Sequence, residues 1–447
     1  MVWDVVVVGG GPAGLCAAIS AAEAGARAVV LEHLPKPGRK LLSSGGGTCN
    51  LTHGGEVADF LPHYGGGDRP GDAGRFLRPA LYAFSNAALS RYCAARRVPL
   101  VEETNGRVFP SSRRAQDVLE LLLAEARRCR VETRTGIAAR YVKVEREAFA
   151  LLDAARSVVA HGRTVVLSTG GRSYSALGAT GDGYRLAVSL GHSIVPPRPA
   201  LVPVVVERKA FSSFVPCAGV SLASAVVAVV REGRPIAEKD GDVLFTHRGL
   251  SGPVVLNLSR HVILGDVLRV SLLPGLGDVH VAGEMLRAEI EAHGKRTAVN
   301  LLQGLGLVAC LSRALFIAVG LDPGTKGAEV PREARRALAA SLASGANGGH
   351  PFPVRSLGGW NEAMVTAGGV RLSEVDPKTM GSRVVPGLFF AGEILDVDGD
   401  TGGYNLQAAF STGRLAGLNA ARTVCASPLT TRRREVENPK QPNMRSS

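Results

Sequence analysis

The chain opens with four β-branched residues in a row, Val5-Val6-Val7-Val8, a pattern that predicts a strand buried on both faces of a parallel sheet. Gly9-Gly10-Gly11-Pro12-Ala13-Gly14 follows. An Ala- and Leu-rich stretch from Leu15 to Ala24 then predicts a helix closed by Gly25. Arg27 to Leu31 reads as a second strand ending at Glu32. The glycine-rich run up to Thr52 fits neither period and predicts a loop. Residues 54 to 75 read as a surface loop and 76 to 98 as helical. Asn105-Gly106 marks a turn between short strands. After Ser111, a capping-type residue, Val118, Leu121, Leu122 and Ala126 recur at helical spacing as far as Arg128. Val131 to Leu167 divides into several short strands, the last running into Gly170-Gly171. Another helix opens at Thr180-Gly181-Asp182 and runs to Gly191.

The texture then changes. Pro196, Pro197, Pro199 and Pro203 mark a crossing between domains. Residues 204 to 275 alternate in strand fashion, with a turn at Glu232-Gly233, and predict a small antiparallel barrel or sandwich. Residues 280 to 345 are Ala-, Leu- and Arg-rich and predict helices. Gly304-Leu305-Gly306-Leu307-Val308-Ala309 fits G-x-G-x-x-A, but it follows a helix and no strand, so it is set aside. Val384 to Glu393 reads as a strand, and Thr401 to Asn405 heads a helix ending near Gly417. The expected division is a cofactor domain in two parts, 1–194 and 351–425, a barrel at 195–278, helices at 279–350 and a disordered tail at 426–447.

Composition narrows the class. At 447 residues the chain can form two or three cored domains. With 45% hydrophobic and 20% charged residues, it has the balance of a soluble α/β protein. The longest uncharged span, Ala210 to Val230, contains Pro216 and Gly219, so it reads as loop plus strand with no membrane helix. Met1 leads directly into the first strand, so neither a signal nor a transit peptide is expected. The seven cysteines are scattered without metal-ligand spacing, which points to reduced thiols, a cytoplasmic location and no metal. Cys49 has no CxxC partner and reads equally as a redox group or as apolar filler. The net charge of +13 comes mostly from arginines spread along the chain, with no basic stripe interleaved with aromatics. That suits a basic enzyme drawing anionic small-molecule substrates and argues against a nucleic-acid partner. The oligomeric state is left open.

The candidate chemistry is concentrated in glycine-rich turns. Gly9, Gly11 and Gly14 form G-x-G-x-x-G between a strand and a helix. Gly9 permits the tight turn, Gly11 lets backbone approach a pyrophosphate, and Gly14 lets strand and helix pack closely. The helix that starts at Pro12 and Ala13 aims free N–H groups at the phosphates. Glu32, 18 positions after Gly14, is spaced to accept hydrogen bonds from a ribose and repels a 2′-phosphate, so FAD or NAD is favoured over NADP. Arg39 and Lys40 are candidates to neutralise a pyrophosphate. The loop Gly45-Gly46-Gly47-Thr48-Cys49-Asn50 and the turn Thr169-Gly170-Gly171 can lie against a flat ligand. Gly392-Glu393 ends a strand with an acid that can bond a ribityl hydroxyl. Asp396, shortly after that strand, is a further candidate for the cofactor, and the series Asp396, Asp398 and Asp400 lacks the glycine and distal glutamate of a calcium loop. Gly402 and Gly403 start a helix that can aim N–H groups at a flavin O2 and N1.

Five segments carry a resemblance: 38–52 (GRKLLSSGGGTCNLT), 169–174 (TGGRSY), 244–253 (LFTHRGLSGP), 365–370 (VTAGGV) and 389–407 (FFAGEILDVDGDTGGYNLQ). In this order they resemble the aminoacetone oxidase-like, bile-acid-reductase-like FAD flavoproteins. The resemblance implies an α/β fold, an FAD-binding Rossmann-type domain with inserted antiparallel β-barrel and helical domains. It places Gly45 to Gly47, Glu393, Gly403, Tyr404 and Asn405 near the flavin or its ribityl chain. It also brings Ala139 to the adenine through its backbone. Thr48 stands where the family usually has Arg, and His53 where it often has Asn. The implied activity is an FAD-dependent oxidoreductase acting on a ketone, enone or amine through flavin N5. No second fingerprint for a nicotinamide domain is present. Either NADH or NADPH docks transiently as reductant, or the substrate reduces the flavin and oxygen reoxidises it. The alternatives are a flavin-dependent RNA-modifying or RNA-binding protein and a non-catalytic flavin-binding protein. No catalytic residue stands out; Tyr174, His247 and Tyr404 are candidates for proton transfer.

Overall fold

In a computed structural model the protein is described over residues 1–345 and 347–426. The expected disordered tail lies outside the described residues, apart from Ala426, which ends the last helix.

The core of the molecule is a seven-stranded sheet. Its parallel centre consists of β1 (Val2–Val8), β2 (Ala28–Glu32), β3 (Val158–Leu167) and β4 (Leu388–Phe390), with Glu132–Thr135 outside β2. Val5 pairs with Ala28 on one side and with Thr164 on the other. Val5 to Val7 are wholly buried, as expected for strands covered on both faces. The upper half of β3 pairs in parallel with β4, while its lower half pairs antiparallel with Phe149–Leu152. As a result β1, β2, β3 and β4 all end at one edge, at Val8, Glu32, Leu167 and Phe390. The turns that follow them meet there, the position at which open α/β sheets bind ligands.

Helix α1 (Pro12–Glu23) is buried without a break from Ala13 to Ala21. It lies against the sheet and along α2 (Tyr404–Ala426), so the two ends of the chain are in contact. The approach is close. A Cβ on Gly413 would stand 3.0 Å from the Ala13 carbonyl carbon, and one on Gly417 2.6 Å from that of Ala17. Gly417 was expected near the end of this helix. It sits in the middle, kept small by the facing backbone rather than by a need to stop the helix. The single helix expected over 76–98 is two helices, Asp72–Ala83 and Asn86–Ala94. The helix expected from Ser111 begins at Ala115, and the Ser111 hydroxyl instead donates to the Pro99 carbonyl.

The inserted segment forms a closed antiparallel barrel of six strands, Val204–Val206, Ser221–Arg231, Arg234–Phe245, Gly249–Ser251, Val267–Val270 and His350–Leu357. Phe211, Phe214, Phe245 and Phe352 pack together inside it. The helices Val279–His293, Ala298–Gly304, Ala309–Ala318 and Arg332–Leu342 are an excursion between two neighbouring barrel strands, Val267–Val270 and His350–Leu357. Barrel and helices share one apolar core, separate from that of the cofactor domain. The closing strand falls mostly beyond residue 350, where the sequence suggested a return to the cofactor domain. Among the described residues, no helix is long and apolar enough to cross a membrane and no cluster of potential metal ligands is present.

Candidate cofactor and substrate site

One cavity of about 770 Å³ runs along the carboxyl edge of the sheet. Its floor is the turn between β1 and α1, with Gly9, Gly11, Pro12 and Ala13 on the wall. The N-terminus of α1 has no side-chain cap at Gly11, so its backbone donors face the cavity. A Cβ on Gly11, Gly46 or Gly170 would meet nothing within 4 Å and would stand in the cavity itself. Gly14 is different: its missing Cβ would come within 2.6 Å of the Ser168 hydroxyl, so it serves packing and lies off the wall.

Glu32 ends β2 with its carboxylate buried and oriented. It accepts the Gly10 N–H at 2.7 Å and the Leu34 N–H at 2.8 Å, and His33 Nδ1 lies 3.0 Å away. Burial alone would raise its pKa, but these hydrogen bonds outweigh burial and hold the group below the ordinary carboxylate range. An ionised acceptor is therefore fixed on the wall beside Ile137, Ala138 and Ala139, where a nucleoside end fits.

The other end is built by remote segments. Glu393 accepts the Thr366 N–H at 2.9 Å, the Ser173 hydroxyl at 2.8 Å and the Lys40 ammonium at 2.5 Å. Lys40 is thus committed to Glu393 and Ser173. Arg39 also lines the cavity and is exposed. Gly45, Gly46, Asn50, Thr169, Gly170, Gly171, Gly392, Glu393, Gly402, Gly403 and Asn405 all line the same space. The Asn405 side chain ties its loop together, accepting the Gly399 N–H at 2.7 Å and donating to the Gly399 carbonyl at 2.8 Å.

Three further expected contacts are absent from the wall. Gly47 turns away. Asp396 is buried and accepts the Gly67 N–H at 2.9 Å, with burial raising its pKa. Tyr404 lies between His63 and His53, with ring centroids 4.3 and 5.1 Å away, and burial pushes its hydroxyl up to about 12. The acid of this segment that does reach the cavity is Asp400. It bonds Lys239 at 2.5 Å, Arg260 at 2.7 Å and His63 at 3.0 Å. Burial opposes its ionisation, but His63, Arg260 and Lys239 together hold its pKa low. The three aspartates thus divide between anchoring a loop and pairing with cations. Of the three proton-transfer candidates, His247 sits exposed on a barrel loop, Tyr404 is in the histidine stack, and only Tyr174 lines the cavity. Cys49 is wholly buried, and burial pushes its thiol up to about 11, which fits the apolar-filler reading.

Leu201, Pro253, Leu256, Met364 and Val365 line the cavity as an apolar wall that the sequence did not single out. Leu201, Leu256 and Val365 belong to one small cluster, and the neighbouring Asn257 accepts the Thr401 N–H at 2.8 Å, which sets that wall beside Gly402 and Gly403. Pro253 ends the segment 244–253 and Val365 begins 365–370; these two matched segments were the available signal.

The residues present suit FAD. A fixed carboxylate marks the nucleoside end, bare glycine backbone and a helix N-terminus mark the pyrophosphate, and a second glycine-led helix lies beside an apolar wall. The chain is 32% identical over 432 residues to a 3-dehydro-bile acid delta(4,6)-reductase of Clostridium scindens, a match covering 93% of this chain and 98% of that one. It is 30% identical over 425 residues to a ribosomal RNA dihydrouridine synthase of Escherichia coli, covering 92% and 96%. Among solved structures, a 3-ketosteroid-delta4-(5alpha)-dehydrogenase from Rhodococcus jostii aligns with a TM-score of 0.49 at 17% identity, over 94% of this chain and 96% of that one. Residues 3–419 match the HI0933-like protein Rossmann domain, and the chain belongs to this family of FAD-dependent oxidoreductases.

Proposed function

We propose that the protein reduces a carbon–carbon double bond conjugated to a carbonyl in a small organic substrate, with NADH or NADPH as transient reductant. The observation that carries this reading is the apolar wall of Leu201, Leu256, Met364 and Val365 in the same cavity as the glycine-led start of α2. A flat apolar enone would suit that wall beside a bound flavin. The relatives lend support: a delta(4,6)-reductase of a 3-oxo bile acid and a dihydrouridine synthase both saturate a double bond next to a carbonyl.

Bound FAD supplies a hydride at N5. The chain does the rest. The N-terminus of α1 would hold the pyrophosphate, and Glu32 would accept from the ribose. Backbone donors at Gly402 and Gly403, which line the cavity, would favour negative charge on the reduced ring. The apolar wall excludes water, and the Tyr174 phenol is the group available to pass a proton to the substrate. Asp400 holds the loop that carries Gly402, through its bonds to Lys239 and Arg260.

The test is anaerobic. FAD-loaded protein is reduced with NADH or NADPH, then mixed with cyclic enones, ketones or amines while the flavin absorbance is followed. Return of the oxidised spectrum with enones supports the reading. If no enone reoxidises the flavin, or if amines bleach the oxidised protein instead, it fails. A second reading, uridine reduction in RNA, is favoured by the Escherichia coli relative and by the net charge of +13. Flavin reoxidation by a uridine-containing RNA and not by free enones would select it.

A further inference from the structure

We propose that Arg39, Arg107 and Arg113 form an oxyanion-binding subsite at the mouth of the cavity, for a phosphate or carboxylate on a ligand that enters against bound FAD. This inference specifies part of the ligand in the reading above. All three arginines line the cavity, and Phe109 and Glu103 line it beside them. Glu103 pairs with Arg113 at 2.8 Å. Among the described residues, Arg39 and Arg107 form no ion pair, so their two positive charges have no carboxylate partner within salt-bridge distance.

The pieces are placed by the fold. Arg107 and Phe109 are alternate residues of the strand Arg107–Pro110, so they share a face. The Arg113 guanidinium lies over the Phe109 ring, 4.2 Å from its centroid. Arg39 follows Gly38, on which a Cβ would stand 2.5 Å from Leu119 Cδ1 on the helix that Arg113 leads into. The strand carrying Arg107 pairs with Thr52–His53, just after the Gly45–Asn50 loop. The three cations therefore line the same cavity as that loop, where Thr48 offers only a hydroxyl.

The pyrophosphate of FAD has its own place, at Gly11 and the start of α1, and Lys40 is taken by Glu393. A second anion is what remains for these arginines to hold. Planar guanidinium groups bind carboxylates and phosphates in two-pronged fashion, and the aromatic backing fixes Arg113 in position. The oxyanion has two sources: the 2′-phosphate of NADPH, or an acidic group on the substrate itself.

The experiment uses FAD-loaded protein and the variants Arg107→Gln, Arg39→Gln and the double variant. Inorganic pyrophosphate is titrated by calorimetry, which requires no turnover. The double variant is expected to bind it at least tenfold more weakly, the loss of a charge-assisted hydrogen bond or more. Two further arms separate the sources. A Kd that rises more for NADPH than for NADH in anaerobic flavin reduction assigns the site to the cofactor phosphate. A KM that rises more for a carboxylate-bearing enone than for its neutral analogue assigns it to the substrate. Unchanged pyrophosphate binding overturns the proposal. So does an FAD Kd that weakens in parallel, because the arginines would then hold the flavin cofactor itself. Capture of RNA with no affinity for small oxyanions also overturns it. If pyrophosphate binding depends on these arginines while no enone is reduced, the enone reading fails and the subsite stands.

Discussion

Gly417 sits where α2 crosses the backbone of α1, and replacing it with alanine tests whether that crossing holds the phosphate turn in place. The added Cβ would lie 2.6 Å from the Ala17 carbonyl carbon and closer still to its oxygen, well inside the 3.4 Å at which ordinary contact begins. Neither helix can yield cheaply. α1 is buried from Ala13 to Ala21 between the sheet and α2, and backbone is on the receiving side. Overpacking of this kind costs about 1–3 kcal/mol. Alanine regains up to about 1 kcal/mol of helix propensity. The net expectation is a loss of roughly 1–2 kcal/mol. Gly283 supplies an internal control. It lies inside the helix Val279–His293, and its missing Cβ would meet only Ala339 at 3.9 Å. Gly283→Ala should therefore keep the propensity gain and stabilise by up to about 1 kcal/mol. Urea unfolding followed by circular dichroism and by flavin release reads both variants, and an FAD titration reads the turn. Gly417→Ala should unfold earlier and bind FAD several-fold more weakly, because pushing α1 off its seat moves Gly11 and the helix N-terminus. If Gly417→Ala matches or exceeds Gly283→Ala in stability, with unchanged FAD affinity, the argument from helix contact is refuted.

Other expectations follow from the charges. The pKa of Glu32 lies below its unfolded value near 4.5, so its contribution is present above that pH and lost as pH falls through the folded pKa. Glu32→Gln should flatten the stability profile in that acid range and weaken FAD binding, measured by denaturation midpoints against pH. His350 behaves oppositely in cause though alike in sign. Burial depresses it from 6.5 to about 4, so acidification across that window protonates the unfolded chain first and lowers stability. His350→Gln should remove that slope from the barrel's unfolding transition. Asp400→Asn would leave Lys239 with no ion pair among the described residues and the buried Arg260 with only Asp398, an expected loss of about 2–4 kcal/mol with faster hydrogen exchange in the strand Arg234–Phe245. Unchanged exchange there would show that barrel and cofactor domain are held together elsewhere.

What the sequence by itself determined is local. The strand, turn, helix and acid from Val5 to Glu32 lie within thirty residues, and each signal acts over a few positions: β-branching, the bare glycine turn, the spacing to a carboxylate. The two-part cofactor domain and the inserted barrel were legible as well, through changes of period and matched segments. Only the tertiary structure decided which remote pieces meet. Lys40 and Glu393 are 353 positions apart, and nothing near either one announces their ion pair. Asp396, Asp398 and Asp400 look alike along the chain, yet one anchors a loop, while the other two face the cations of Arg260 and Lys239 from other segments. Tyr404 was expected against a flavin, but His53 and His63 stack on its ring. Gly417 reads as a helix stop until the backbone of α1 is laid across it. The apolar wall is assembled from Leu201, Leu256 and Met364, ordinary core residues in sequence whose role depends on what faces them. Propensity and periodicity act between neighbours along the chain. The contacts that shape this cavity join segments up to several hundred residues apart, and they exist only once the sheet edge has gathered its turns.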